Sequence, residues 1–392
     1  MASSCPAYEA DIYADGGIEA PYEHYAAIRN AGPVVWLAAQ QVHAMGRYKD
    51  VKAALLDHRT FLSGEGVALN DFTNGISRGT TLASDAPVHG TLRTIIGAPL
   101  RPEAVAILRD QIAEAAEALV LRLVRQKRFD GVVDFARFLP VSIISTLVGL
   151  PEEGRENMLD WAAATFNCLG PQNDRATAAL PQLQAMLAYT VAGVGADNVR
   201  PGSWAAQIYD AADRGLVPKE QVPALLLDYL GPSLDTTIFA TGHLLHLLGS
   251  NPAQWELLRA DPALIPNAIE EAVRLESPIR GFSRVLSRDV ELEGSKVAAG
   301  SRVLLLYASA NRDEAKWAEP ERFDIARANA RDHLGFGIGR HGCAGQHLAR
   351  LEMQCLMTSL VRHVSSFEVG APVVQKNNVL RGFASLPVEI TG

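Results

Sequence analysis

A lone cysteine, Cys343, stands among glycines in Phe336-Gly337-Ile338-Gly339-Arg340-His341-Gly342-Cys343-Ala344-Gly345, just before a helical pattern that starts Gln346-His347-Leu348-Ala349-Arg350. Glycine lets the backbone turn tightly and approach a flat partner. A helix N-terminus favours a thiolate, and its free N–H groups can donate to the sulfur. A soft thiolate held this way suits the axial position on haem iron, where it pushes electron density onto the metal and favours O–O cleavage. Two other readings compete on the residues alone. A buried structural thiol is the commonest fate of a free cysteine. Gly337-x-Gly339-x-x-Gly342 also satisfies a dinucleotide fingerprint. That fingerprint needs an apolar strand just before it, and Ala328-Asn329-Ala330-Arg331-Asp332-His333 is polar. Its acidic residue, about 20 positions on, would fall inside the following helix.

The ten residues match the haem-binding signature of the cytochrome P-450 family, F-G-x-G-x-H-x-C-x-G, at every fixed position. The chain therefore resembles a haem-thiolate monooxygenase. The resemblance implies haem b, one per chain, with Cys343 as iron ligand and Phe336, Gly337 and His341 beside it.

Other stretches extend the resemblance over nearly the whole chain. Ala83-Ser84-Asp85-Ala86-Pro87-Val88-His89-Gly90-Thr91-Leu92-Arg93 is similar to the family's D-P-P-x-H-x-x-x-R. His89 and Arg93 are four apart and share a helix face; by resemblance they grip haem propionates, as does Arg284. Gly231-Pro232-Ser233-Leu234-Asp235-Thr236-Thr237 resembles the family's A/G-G-x-D/E-T-T/S, which makes Asp235 and Thr236 the proton-delivering pair. Pro232-Ser233 departs from that pattern and puts a hydroxyl where glycine normally lies. Glu271-Ala272-Val273-Arg274 matches E-x-x-R, while Asn311-Arg312-Asp313 and Pro320-Glu321-Arg322-Phe323 match further family segments.

The substrate side resembles bacterial relatives that demethylate methoxy-aromatic acids. The loop Gly64–Phe72 with Arg78 and Thr81 is similar to theirs, as are Phe166-Asn167 and Ser277-Pro278-Ile279-Arg280-Gly281-Phe282. The resemblance implies Arg78 and Thr81 beside a carboxylate, and Phe166, Ile279, Phe282 and Phe383 around a ring. Asp228 and Ser233 lie on the same side, and Asp228 would suit a phenol or amine better than a carboxylate.

These residues need elements to hold them. Residues 222–248 form the longest apolar-rich segment, about 27 residues, ending at Gly249-Ser250-Asn251-Pro252, a stop signal. It reads as one long helix, kinked at Pro232. Helical spacing also marks 18–31, the stretch from Tyr48, 103–127, 140–165 and the helix after Cys343. Strands are expected at 34–37, 42–45 and 290–310. Residues 64–81 lack periodicity and read as a long functional loop, and the polar segment after Gly170 reads as a lid. The expected fold is mainly α with a minor β region, the cytochrome P-450 fold, one domain over 1–392. Haem lies between the long central helix and the cysteine-loop helix.

The chain has 392 residues, 48% of them hydrophobic, and a net charge of −8. It can bury a large core, and without a basic cluster it is not read as a nucleic-acid binder. The four cysteines have no paired spacing. The N-terminal stretch is polar, and no run reaches about 18 uninterrupted apolar residues, so a soluble, cytoplasmic, bacterial-type protein without a membrane anchor is expected. Family resemblance implies dioxygen and a small organic substrate. Electrons derive from NAD(P)H through a separate ferredoxin and ferredoxin reductase, docking where Arg93, Arg340 and Arg350 form a cationic patch. Two alternatives stay open: a haem-thiolate enzyme using peroxide or rearranging its substrate, against which the intact Asp235-Thr236 argues, and a haem-based binding or sensor protein without turnover.

Overall fold

The computed structural model describes residues 5–392; the first four residues of the polar N-terminal stretch lie outside it. Helices dominate, and the sheets are small. The largest sheet orders its strands Ala7–Tyr8, Val35–Leu37, Val42–Met45, Arg302–Leu305, Phe282–Leu286 and Phe61–Leu62. Phe282 pairs with Leu305 and Arg284 with Val303. Period-2 alternation puts Phe282 and Arg284 on one face and Ser283 on the other. There Ser283 N–H donates to Val67 O at 3.0 Å and its hydroxyl lies 2.9 Å from the carbonyls of Val67 and Ala68, either of which can take its one proton, pinning the loop that the sequence shows to lack periodicity.

That loop is not wholly irregular. Asn70 caps a short helix, Asp71–Ile76, accepting from Thr73 N–H at 2.8 Å. Its amide also donates to the carbonyls of Cys168 and Gly170. Six residues containing a glycine leave no periodicity to read, although the asparagine cap is a legible signal. The segment after Gly170 is likewise a helix, Asp174–Ala188, capped by Asn173.

The expected single helix over 222–248 is two helices, Val222–Leu230 and Asp235–Ser250, with Gly231 to Leu234 between them. Pro232 lacks an N–H, and its ring crowds the carbonyl four residues back, so the ladder stops instead of bending. The second helix is buried on nearly all sides, Ile238, Leu244, Leu245 and Leu248 included. The 140–165 pattern is also split: Gly149, at φ +74°, ends one helix and Glu152–Leu169 begins after Pro151.

The cysteine-loop helix, Gln346–His363, buries Leu348, Leu351 and Cys355 at the expected spacing. It packs against Arg109–Gln126 and Ile265–Leu275. On the latter, Glu271 and Arg274 are fully buried and paired at 2.7 Å. Arg274 also donates to the carbonyls of Asn311, Pro320 and Arg322, and Arg327 donates to Glu271. Every charge in the cluster is thus paired or hydrogen-bonded, as buried charges require. One helical stretch, Gly131–Val148, is long and apolar enough to cross a membrane by length and composition, and 56% of it is buried inside the protein.

Candidate active site: a thiolate-floored cavity

A cavity of about 290 Å³ runs from the cysteine loop to the helices Asp71–Ile76 and Glu152–Leu169. Its lining includes Phe336, Gly337, His341, Gly342 and Cys343 at one end. Gly337 and Gly339 take positive φ (+61° and +70°), a conformation that only glycine adopts cheaply. The loop closes on itself where Cys343 N–H donates to Phe336 O at 2.8 Å. Of the four cysteines, Cys343 alone is not fully buried. Burial pushes this thiol up, while the Gly345 and Gln346 amides and the Arg93 and Arg350 charges pull it down. A coordinating metal deprotonates such a thiol outright.

Beside the cysteine stand two rings, His89 and His341, with centroids 4.3 Å apart. Both nitrogens of His89 and Nε2 of His341 are buried without a hydrogen-bond partner. Burial, then the neighbouring arginines, push His89 down to about 4 and His341 to about 2. Arg93 and Arg284 line the same cavity; Arg93 donates to Gly342 O at 2.5 Å and Arg284 to Ser283 O at 2.7 Å. Orphaned donors are costly, and here they share a pocket with two cations. A flat, apolar group carrying carboxylates would satisfy all of them, so the residues present fit haem b.

Thr236, Ser233 and Asp228 line the cavity where the central helix breaks. Thr236 Oγ1 donates to Pro232 O at 3.0 Å, using the acceptor freed by the break. Asp235 is buried beside it but does not line the cavity. Burial pushes its carboxyl up to about 7, with Arg137 pulling the other way. Asp228 is tied to the loop: its Oδ2 accepts from Thr81 N–H at 2.8 Å. Thr81, Phe166, Ile279 and Phe282 complete the expected lining.

Three expectations fail. Arg78 is exposed and does not line the cavity; it follows the short helix Asp71–Ile76, whose Thr73 and Ile76, with the capping Ser77 after them, face inward. Phe383 is buried outside the cavity, edge-on to His243 and His246 with centroids at 4.5 and 5.2 Å. Its strand turns in behind the central helix, and no residue of 377–386 reaches the lining. Arg350 is no part of a free cationic patch, because Glu270 pairs with it at 2.7 Å and Phe336 stacks below its guanidinium. Sequence reasoning also missed Leu183, Met186 and Leu187, which line the cavity from Asp174–Ala188, and Tyr307, buried beside Arg284. Helical spacing of Leu180, Leu183 and Leu187 is the signal that would have found the first group.

The family model described as Cytochrome P450 matches residues 206–390. Cytochrome P450 CYP199A2 of Rhodopseudomonas palustris is 38% identical over 386 residues, 97% of this chain and 92% of the relative. Cytochrome P450-terp of a Pseudomonas species is 33% identical over 78% of this chain and 75% of the relative. The structure of P450BioI in complex with an acyl carrier protein ligated by hexadec-9Z-enoic acid superposes with a TM-score of 0.85 at 25% identity, covering 96% of this chain and all of that one. The Cys343 loop at the cavity floor, the histidines left without partners among the described residues and likeness over 97% of the chain converge on one conclusion: this chain belongs to the cytochrome P450 family, oxygen-incorporating monooxygenases whose cofactor is haem b.

Proposed function

We propose that the enzyme inserts one atom of dioxygen into a small aromatic substrate, by hydroxylation or O-demethylation. The observation that carries this reading is a largely apolar cavity in which Phe166 and Phe282 face the space above the Cys343 loop. A planar ring there gains edge or stacking contacts worth about 0.5–1.5 kcal/mol per aromatic pair. Bound haem supplies the oxygen-activating chemistry.

The chain's own residues do the rest. Cys343 would hold the iron, with Phe336 and Gly337 against it. Arg93, Arg284, His89 and His341 would take the propionates, the arginines supplying charge and the histidines donors otherwise left unpaired. Thr236 holds a hydroxyl at the cavity wall and hands protons inward. Asp235, on the other side of the same turn, exchanges its proton near neutral pH, because burial has raised its carboxyl to about 7.

Electrons would arrive from NAD(P)H through a ferredoxin reductase and a ferredoxin docking beside the cysteine loop, where Arg340 is exposed. Residues 1–392 act as one domain; in support, a continuous apolar core extends from Cys5 to Ile390. A cytoplasmic location without membrane or nucleic-acid partners fits the net charge of −8 and the burial of Gly131–Val148.

Titrating the ferric holoenzyme with methoxy-aromatics, a bulky terpene and a fatty acid, while following the spin state, tests the substrate class. Aromatics should shift the spin state. A response to the terpene or fatty acid alone overturns the reading.

A further inference from the structure

Asp228 is the one carboxylate lining the cavity among the described residues. It sits on the helix Val222–Leu230, before the break. Burial pushes its carboxyl up to about 6, and the amides of Thr81 and Leu82 and the charge of Arg93 pull it down; it is therefore anionic at slightly alkaline pH. A carboxylate offers about four acceptor sites, and two amides leave capacity unused.

Thr81 adds a second, independent observation. It is 6% exposed, lines the same cavity, and its hydroxyl is buried without a well-aligned hydrogen bond. That hydroxyl lies close enough to Asp228 to favour the anion yet is left free to turn to a ligand. Among the described residues, Arg93 is the one cation that acts on Asp228, and its pull is the weakest of those on the carboxyl. Arg78 is outside the lining, Arg284 is on the Cys343 side beside His341, and the Arg93 guanidinium is turned to Gly342 O.

We infer that the cavity reads a hydrogen-bond donor on the substrate ring, a phenolic or alcoholic hydroxyl or an amine, through Asp228 and Thr81, and that it discriminates against ring carboxylates. This rests on the aromatic reading above and narrows it. A donor, O–H or ammonium N–H, meets the open acceptor sites of Asp228, and a hydroxyl oxygen on the ring also accepts from Thr81. A ring carboxylate has no proton to give and meets a fixed negative charge.

The test is spin-state titration of the holoenzyme at slightly alkaline pH with para-methoxyphenol, para-methoxybenzylamine, para-methoxybenzoate and anisole. The phenol and amine should bind about 10- to 100-fold more tightly than the other two, the range for one hydrogen bond to a charged group. Asp228→Asn keeps an acceptor for the Thr81 amide; it should erase the preference for amine over benzoate. Thr81→Val should weaken the phenol while leaving anisole unchanged. Benzoate binding as tightly as the phenol in the unmodified enzyme, or a ranking unaltered by Asp228→Asn, overturns the inference while leaving the aromatic reading standing. If all four rings fail and only a terpene or fatty acid shifts the spin state, the aromatic reading fails with it. Should Asp228→Asn not load haem, the ranking in the unmodified enzyme and in Thr81→Val decides.

Discussion

The two ends of the cavity differ in how closely their geometry follows from local sequence. At the cysteine end, Phe336, Gly337, His341 and Cys343 sit within one self-bonded loop, and His89 and Arg93 lie one helical turn apart. Each lines the cavity as its spacing requires. At the substrate end, the wall is assembled from segments far apart in sequence, among them the capped helix at 71–76, the end of Glu152–Leu169, the helix Asp174–Ala188, the break at 231–234 and the strand Phe282–Leu286. Chemistry that needs fixed distances is held by short-range geometry. Shape that selects a substrate is set by how distant elements meet.

Perturbing the support of the cysteine end should therefore be costly. Arg274→Ala leaves Glu271 buried with only Arg327 as a charged partner, and breaking a buried pair this way costs about 3–5 kcal/mol. Holoprotein yield and the denaturant midpoint should both collapse; an unchanged midpoint would remove the support argument. The two phenylalanines sharpen the contrast further. Phe383→Ala should cost about 3–5 kcal/mol of stability and leave ligand affinity alone. Phe166→Ala should weaken aromatic ligands about 2- to 10-fold, the worth of a lost ring pair. Equal effects on ligand affinity would put Phe383 back in the pocket.

At the junction between the two ends, Thr236→Ala should bind substrate normally yet divert reducing equivalents to peroxide, read as NADH used per product formed. The same ratio gives a pH test. The raised Asp235 carboxyl carries its proton below about 7 and loses it above, so coupling should fall as pH rises through that value. Asp235→Asn should flatten the profile, and an unaltered profile would remove Asp235 from proton delivery. The smallest expected effect concerns Glu352, buried with both oxygens unpartnered and pushed up to about 8 by burial. A raised carboxyl contributes stability that is full below its unfolded value near 4.5 and lost as pH rises through about 8. Glu352→Gln should flatten the decline of thermal midpoint across that window, and a slope identical to the unmodified protein would contradict it.

The sequence was legible where one element carries the whole message. The ten-residue cysteine loop, the Glu271–Arg274 turn and the strands at 35–37 and 42–45 could all be placed from it. It misled where a local rule admits two outcomes. Pro232 stops a helix here rather than kinking it, because the preceding Gly231 and the following Ser233 add little helix propensity to carry the ladder across. Arg78 and Phe383 were placed in the pocket by resemblance. Their actual positions depend on the Asn70 cap, which fixes the rotation of a six-residue helix, and on the His243–Phe383 contact, which draws the terminal strands behind the central helix. Neither is encoded by spacing within a single segment.

The central claim is that Cys343, and no other thiol, holds the haem iron. Absorbance of the reduced, carbon-monoxide-bound protein tests it directly. The unmodified protein should show the red-shifted Soret band of thiolate ligation, Cys355→Ala should retain it, and Cys343→Ala should lose it. A red-shifted band surviving in Cys343→Ala would contradict the account.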